Sequence, residues 1–170
     1  KVSLFTNNDS AYETAISLNN SGVSVNSVVD IRDKTNSLIV KQVENLGIKI
    51  HWKSSVVNTN GYKKIDSIEI MKLSDDGTAV VGKKVKEECD CLGISGGWTP
   101  RVHLFTQSGG KLKFRDKDNV FLPDKMELGQ ISIGSCNGDF ELDEVIKNSV
   151  NLTNKFLKVN NNDYENLEII

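Results

Sequence analysis

The stretch Asp90-Cys91-Leu92-Gly93-Ile94-Ser95-Gly96-Gly97-Trp98-Thr99-Pro100 marks the point where a buried strand ends and the chain changes direction. Residues 91–94 have the apolar composition of a strand that is covered on both faces. The glycines that follow allow close backbone approach or a positive φ, and Pro100 fixes the direction in which the chain leaves. This segment therefore predicts backbone that lies against a flat ligand or a neighbouring domain.

The residues before this stretch predict alternating strands and helices. The run Val2–Thr6 is typical of a buried parallel strand. Ser10 with Glu13 three residues later forms a capping box, which predicts that a helix begins there and ends at Gly22. A strand over 23–29, a helix capped by Thr35 or Asn36 and closed by Gly47, and a strand over 48–50 follow, with Leu38, Ile39, Val43 and Leu46 on the inward face of the second helix. This order predicts right-handed crossovers and a parallel sheet.

The periodicity changes over residues 55–90, where apolar and polar residues alternate. Turn sequences at 58–61 and 75–77 separate segments that favour hairpin strands over 65–70 and 78–86. We expect a three-stranded antiparallel meander inserted after the third parallel strand. The predicted fold class is therefore α/β, a Rossmann-like parallel sheet with helices and an inserted meander, as in flavoproteins that bind two dinucleotides.

The second part of the chain is less regular. Alternation over 111–118 and a short edge strand over 120–123 are followed by a predicted strand and glycine turn over 130–139 and a helix over 142–157. We expect one domain over 1–97, with the meander at about 55–90, and a second over 98–170 whose polar tail is frayed from about residue 160.

Composition narrows the possible partners. The 170 residues carry a formal net charge of −2, which gives no electrostatic basis for binding nucleic acid or an anionic membrane. No apolar run approaches the ~20 residues that span a bilayer, and the chain begins at Lys1 with no signal peptide. We therefore expect an internal portion of a cytoplasmic protein, with Cys89, Cys91 and Cys136 as buried free thiols.

No metal site or catalytic set is evident in the sequence. His51 and His103 lack the spacing of metal ligands, and His103 is predicted to be a structural residue among apolar neighbours. No Ser/His/Asp or Cys/His arrangement occurs at a recognisable spacing. We therefore predict no catalytic and no metal-binding residue in this chain.

The turn after the first strand is the first candidate binding site. A nucleotide-binding turn uses Gly-x-Gly-x-x-Gly so that backbone amides approach a pyrophosphate, but this chain has Thr6, Asn8 and Ala11 at those positions. One interpretation is a nucleotide fold whose phosphate site has been lost. The other is a modified turn in which Asn7, Asn8 and Ser10 supply the hydrogen-bond donors.

Eight further residues at four places in the chain are candidate cofactor contacts. Asp30 ends the second strand, where a carboxylate accepts ribose hydroxyls, although an aspartate there is also a common turn residue. Arg32 could neutralise a 2′-phosphate or pair with Asp33. Gly96, Gly97 and Trp98 could lie beside a cofactor, although an aromatic residue at a domain junction more often serves packing. Gly134, Gly138 and Asp139 lie just before the final helix. They could form a second nucleotide contact or an ordinary glycine turn.

Three segments carry a resemblance to a known family. The Gly-x-x-Pro sequence at 97–100 resembles the segment that crosses between the two nucleotide domains of two-dinucleotide flavoproteins. The full string over 96–112, together with Leu4-Phe5-Thr6-Asn7-Asn8-Asp9-Ser10-Ala11-Tyr12 and Val29-Asp30-Ile31-Arg32, closely resembles the alpha subunit of heterotetrameric sarcosine oxidases. The match over 130–157 is weaker.

The resemblance implies an oxidoreductase that demethylates N-methylglycine with oxygen. It implies NAD in the intact alpha subunit, FAD and FMN held mainly by another subunit, and tetrahydrofolate as a co-substrate outside this chain. The implied partners are the beta, gamma and delta subunits and the remainder of the alpha subunit. This chain would be the inner nucleotide domain and the returning part of the outer one, supplying NAD binding and scaffolding.

Other interpretations remain open. A degenerate nucleotide fold could act only as a structural interaction domain, and a related oxidase or dehydrogenase of secondary amines would share these motifs. A disulfide-reductase-like enzyme is disfavoured because Cys-x-x-Cys is absent from the sequence. A class I methyltransferase is disfavoured by the predicted meander.

Overall fold

The computed structural model describes residues 1–116, 118–125 and 130–157. It contains two compact units, Lys1–Gly97 and Trp98–Ile170, called unit 1 and unit 2 below. Their assignment to an inner and an outer dinucleotide-binding domain stays a prediction. The predicted frayed tail from about residue 160 lies outside the described residues.

Unit 1 is built on a parallel sheet with two helices on one face. Its elements in chain order are β1 (Val2–Thr6), α1 (Ser10–Asn20), β2 (Val25–Asp30), α2 (Leu38–Asn45), β3 (Lys49–His51), β4 (Ser54–Asn60), β5 (Ser67–Leu73), β6 (Val80–Glu88) and β7 (Cys91–Ser95). The strands β3-β2-β1-β7 form the parallel sheet in that order, and β4-β5-β6 form a separate antiparallel sheet. The predicted Rossmann-like fold with an inserted meander is therefore confirmed.

Two apolar clusters hold unit 1 together, one on each face of the parallel sheet. On the helical face Leu4, Tyr12 and Val43 are buried with five further residues, Ala15, Val25, Val28, Val40 and Ile48. On the opposite face Val29 packs with Ile68, Ile70 and Cys89 under the meander. Successive residues of a strand point to opposite faces of the sheet. The strand β2 therefore contributes to both clusters, with Val28 on the helical face and Val29 on the opposite face.

The predicted start of α1 at Ser10 is confirmed, whereas the predicted cap of α2 is wrong. Asp9, not Ser10, is the N-cap of α1, so the capping box does not form. The N-cap of α2 is Ser37, not Thr35 or Asn36. The inward face of α2 also differs from the predicted one. Leu38 and Leu46 are exposed, Ile39 is only partly buried, Val43 is buried as predicted, and Val40 is the buried residue that the prediction missed.

The described part of unit 2 contains a hairpin, two α-helices and a short 3-10 helix. Its elements are α3 (His103–Gln107), β8 (Lys111–Arg115), β9 (Val120–Lys125), a 3-10 helix (Gly134–Asn137) and α4 (Leu142–Leu157). Strands β8 and β9 pair antiparallel. The predicted strand near 130–133 is wrong, because these residues have no regular structure and no partner strand in the described part of unit 2.

The cysteine and histidine predictions were partly wrong. Cys89 is buried, but Cys91 and Cys136 are exposed, and all three thiols are free. Cys91 lies on β7, an edge strand of the parallel sheet, which leaves that side of the strand open. His103 is exposed on α3, where Phe105 takes the buried position. No helix among the described residues is long and apolar enough to cross a membrane.

Candidate functional site

The carboxyl ends of β1 and β7 are joined by a network of side chains, called the turn clasp below. Its members are Asn7, Asn8, Ser10, Ser95 and Gly96. The Asn7 Nδ2 group donates to the Gly96 carbonyl oxygen at 3.1 Å. The Asn8 Nδ2 group donates to the Ser95 carbonyl oxygen and to its Oγ, each at 3.1 Å. The Oγ atoms of Ser10 and Ser95 lie 3.1 Å apart. These contacts bring together residues that are more than 80 positions apart in the chain.

Asn8 is hydrogen-bonded at both ends of its carboxamide. Its Oδ1 accepts from the Ser10 backbone N–H at 3.1 Å and from Ser10 Oγ at 2.5 Å. The Asn8 backbone N–H donates to Thr6 Oγ1 at 3.1 Å. Two turn amides that a nucleotide-binding turn would offer to a phosphate are therefore already satisfied by side chains of the turn itself.

Asp30 lies beyond the reach of solvent at the end of β2. Its side chain is fully buried. Oδ1 accepts from the Arg32 backbone N–H at 2.9 Å, and Oδ2 accepts from Tyr12 Oη at 2.8 Å and from Arg32 Nη2 at 2.8 Å. Arg32 Nε lies 3.2 Å from both oxygens. Four donor groups thus meet a carboxylate that has about four lone-pair directions.

Arg32 joins Asp30 to the start of α1. Its Nη2 group also donates to Asp9 Oδ1 at 2.7 Å, so it pairs with Asp30 and Asp9 and not with Asp33 as one prediction had it. Burial alone would lower the pKa of Arg32, but the hydrogen bonds to Asp30 and Asp9 outweigh it and raise that pKa. Burial and then the bond to Asp30 raise the pKa of Tyr12 well above its ordinary value. Arg32 and Tyr12 therefore keep their protons at physiological pH.

A small cavity lies beside the turn clasp. It has a volume of about 120 Å³ and is lined by Phe5, Thr6, Asn7, Ile31, Ile94, Ser95 and Gly96. Gly97, the next residue, has φ +94, and a Cβ there would lie 3.4 Å from Asn7 Oδ1. In parallel sheets of this type ligands bind outside the carboxyl ends of the strands, which is where this cavity opens.

Asp139 and Gly138 lie close to other residues of unit 2. The Asp139 carboxylate accepts from Asn148 Nδ2 at 3.1 Å and from Asn137 Nδ2 at 3.4 Å. Gly138 has φ +78, and a Cβ there would lie 2.6 Å from Leu122 and 3.0 Å from Arg115. Packing inside unit 2 thus accounts for glycine at this position.

Two further predicted positions of unit 2 differ in exposure. Gly134 is buried and has φ +74, and a Cβ there would lie 3.4 Å from Val145. Trp98 is exposed, with its ring centroid 6.3 Å from that of Phe140. Of the four predicted positions in unit 2, Trp98 is the most open to a ligand.

Sequence reasoning missed three residues of this site. Asp9 and Tyr12 complete the contacts of Arg32 and Asp30, and Ser95 completes the turn clasp. Tyr12 could have been found from the helical spacing, since it lies three residues before Ala15 and both side chains are buried. Ser95 left no such signal, because its partners lie at the other end of unit 1.

A second polar cluster, also missed, lies between the parallel sheet and the meander. The Glu87 carboxylate accepts from Ser3 Oγ at 2.9 Å and from Ser27 Oγ, and it lies 3.3 Å from His51 Nε2. Ser3 and Ser27 are fully buried. Within the described ranges no group of three or more His, Cys, Asp or Glu side chains could hold a metal ion.

Two curated proteins match most of the chain. One, from Corynebacterium sp. (strain P-1), is 30% identical over 143 residues, which is 83% of this chain. The other, from Corynebacterium sp. (strain U-96), is 29% identical over 138 residues, or 81% of this chain. Both relatives are sarcosine oxidase subunit alpha. The resemblance that the sequence motifs carried is therefore confirmed, and this chain spans 14% of the length of each relative.

Solved structures with the same fold include two reductases. Thioredoxin reductase of T. acidophilum matches with a TM-score of 0.67 and 18% identity, covering 92% of this chain and 53% of that chain. The bacillithiol disulfide reductase Bdr of Staphylococcus aureus matches with a TM-score of 0.55 and 13% identity, covering 90% and 51%. At this identity the likeness shows the fold alone. No protein-family model matches the chain.

An NAD molecule does not fit the end of β2 and the first turn in the usual manner. The ribose-binding carboxylate would be Asp30, whose two oxygens are occupied by Arg32 and Tyr12. The phosphate-binding amides would include those of Asn8 and Ser10, which bond to side chains. The cavity beside Gly96, at the carboxyl ends of β1 and β7, is still open to a ligand.

Proposed function

We propose that this chain is a non-catalytic, scaffolding part of a sarcosine oxidase alpha subunit, in a cytoplasmic enzyme that oxidises N-methylglycine with oxygen. FAD and FMN would be held mainly by another subunit, and tetrahydrofolate would bind outside this chain. The sequence match to sarcosine oxidase subunit alpha supports the choice of enzyme. A related oxidase or dehydrogenase of secondary amines is the nearest alternative.

The turn clasp is the observation that carries the scaffolding role. The strand, turn and helix of a dinucleotide fold are all present, but side chains close the turn that would receive a phosphate. A turn that satisfies its own amides keeps its shape without a ligand. Such a unit can hold neighbouring domains and subunits in position at any concentration of cofactor.

The scaffolding role can be tested with Asn8→Ala in the complete protein, with Asn58→Ala as the control. Asn58 is an exposed residue of β4 whose side chain donates to Asn60 Oδ1 at 3.3 Å and also bonds to Glu69. We expect Asn8→Ala to lower the thermal unfolding temperature and the yield of assembled complex, while activity per assembled complex is kept. Loss of NAD or of activity with assembly intact would show that Asn8 belongs to a cofactor site.

The choice of substrate is tested separately with a panel of secondary amines. The complete protein should consume oxygen and form hydrogen peroxide with N-methylglycine faster than with other N-methylated or secondary amines. A clear preference for another amine would support the related oxidases. Reduction of a dye without oxygen consumption would indicate a dehydrogenase.

A second candidate role is contact with NAD at Gly96 and Gly97. The cavity of about 120 Å³ next to these residues supports it, because it opens at the carboxyl ends of the parallel strands. The volume is small for a whole dinucleotide, so NAD would touch this edge with one part only. The predicted NAD contacts of Trp98, Gly134, Gly138 and Asp139 are a separate proposal for unit 2.

A further inference from the structure

The position of Arg32 matches that of a ligand. In dinucleotide-binding folds the cofactor connects two places, the carboxylate at the end of the second strand and the amino end of the first helix. In this chain Arg32 connects the same two places, because its guanidinium contacts Asp30 at 2.8 Å and Asp9 at 2.7 Å. Asp9 is the N-cap of α1.

The charges at this edge suit a cation and not a phosphate. Asp9 places a carboxylate at the amino end of α1, where a bound nucleotide would place its pyrophosphate. Together Asp9, Asp30 and Arg32 carry one more negative than positive charge. A dinucleotide phosphate at this position would be repelled by Asp9 unless Arg32 left Asp30, and Asp30 would then be a buried charge without a partner.

The hydrogen-bonding capacity of Asp30 is also used up. Its side chain is fully buried, and Arg32 and Tyr12 supply donors to both oxygens. A ribose that binds Asp30 through its two hydroxyls would have to displace the Arg32 side chain. It would also have to reach the Asp30 carboxylate, which is buried and hydrogen-bonded to Tyr12. In the neighbouring turn the backbone amides of Asn8 and Ser10 are likewise occupied, by Thr6 Oγ1 and Asn8 Oδ1.

We infer that Arg32 is an internal substitute for a nucleotide ribose, and that Asp30 is a structural residue that makes no contact with a dinucleotide. Unit 1 thereby keeps the two connections that a bound cofactor makes, using its own side chains. This role deepens the proposed scaffolding function but rests on unit 1 alone. It holds whichever amine the intact protein oxidises.

The test uses the complete protein with Arg32→Gln and Asp30→Asn, and Lys53→Gln as the matched control. Lys53 is another cation of unit 1 that pairs with two carboxylates, Asp33 at 3.3 Å and Asp75 at 3.5 Å, but both partners are exposed. We expect Arg32→Gln and Asp30→Asn to lower the thermal unfolding temperature more than the control does. We expect NAD affinity, measured by calorimetry, to change less than twofold in all three variants.

Hydrogen–deuterium exchange of the unaltered protein gives a second measurement if a variant does not fold. Addition of excess NAD should leave the exchange of residues 30–32 unchanged, even if other regions become protected. Protection of residues 30–32 by NAD would overturn the inference. So would a tenfold loss of NAD affinity in Asp30→Asn with an unchanged unfolding temperature, or Arg32→Gln that is no less stable than Lys53→Gln.

The same measurements separate this inference from the proposed function. A protein that does not oxidise N-methylglycine, or that assembles normally with Asn8→Ala, contradicts the proposed function and leaves the role of Arg32 intact. NAD protection at residues 30–32 contradicts the role of Arg32 and leaves the sarcosine oxidase proposal intact.

Discussion

Replacing Glu87 with glutamine removes the charge at the centre of the polar cluster between the parallel sheet and the meander. Burial alone would raise the pKa of Glu87, but hydrogen bonds from His51, Ser27 and Ser3 lower it from 4.5 to about 2. A carboxyl group with these two values in the unfolded and folded states stabilises the fold by up to about 3 kcal/mol. Since part of the group still meets water, we expect about 2 kcal/mol.

The pH dependence follows from the direction of this shift. The folded state favours the ionised carboxylate, so the stabilisation is complete above pH 4.5 and is lost as the pH falls towards 2. More than half of it should be gone at pH 3. Glu87→Gln should therefore be less stable than the unaltered chain at pH 7 by about 2 kcal/mol, and this difference should shrink to less than about 1 kcal/mol at pH 3.

The assay is urea unfolding of the 170-residue chain, followed by tryptophan fluorescence in a Trp98→Phe background. Only two tryptophans occur in the sequence, so Trp52 then reports unit 1 alone. Glu88→Gln is the control, because Glu88 is the exposed neighbour and its carboxylate pairs with Lys1 at 3.8 Å. An equal loss in both variants, or a difference that does not change with pH, would refute the reasoning.

Three further predictions concern glycines and cofactors. In the complete protein Gly97→Val should reduce NAD content more than stability. The control Gly77→Val, also at positive φ but with open space around it, should reduce stability alone. Normal NAD content in Gly97→Val would exclude NAD contact at this residue. The purified 170-residue chain should bind no flavin and oxidise no N-methylglycine, so yellow absorbance or turnover would contradict the scaffolding role. Gly138→Ala should destabilise unit 2 by about 1–3 kcal/mol more than Gly109→Ala in thermal melts, because its Cβ would lie 2.6 Å from Leu122 while that of Gly109 meets nothing within 4 Å.

The order of strands and helices in unit 1 could be predicted because burial leaves a periodic pattern. Runs such as Val2–Thr6 are apolar since both faces of the sheet are covered, and the change of period after residue 55 marks the meander. The start of α2 could not be fixed in this way. Thr35, Asn36 and Ser37 are all good N-cap residues, and only the packing of Val40 and Val43 decides among them.

The site was harder to predict because its contacts join distant parts of the chain. Asn8 meets Ser95 across 87 positions, and Arg32 meets Asp9 across 23. The sequence identified Asn8, Asp30 and Arg32 as unusual residues, but a polar side chain near a turn can face a ligand or another side chain. Which of these occurs depends on the partners that the fold brings within hydrogen-bond distance, and no local pattern contains that information.

The turn clasp also explains how a dinucleotide fold can persist without its glycines. A turn that leads into a helix leaves backbone amides without partners, and these must be satisfied by a ligand, by water or by side chains. Asn8 and Ser10 supply several such bonds at about 0.5–1.5 kcal/mol each, reduced at the exposed positions. A ligand at one hundred times its dissociation constant would stabilise the fold by about 2.7 kcal/mol. The two contributions are of similar size, so a chain with the clasp gains from its own sequence the stability that a bound cofactor would otherwise supply.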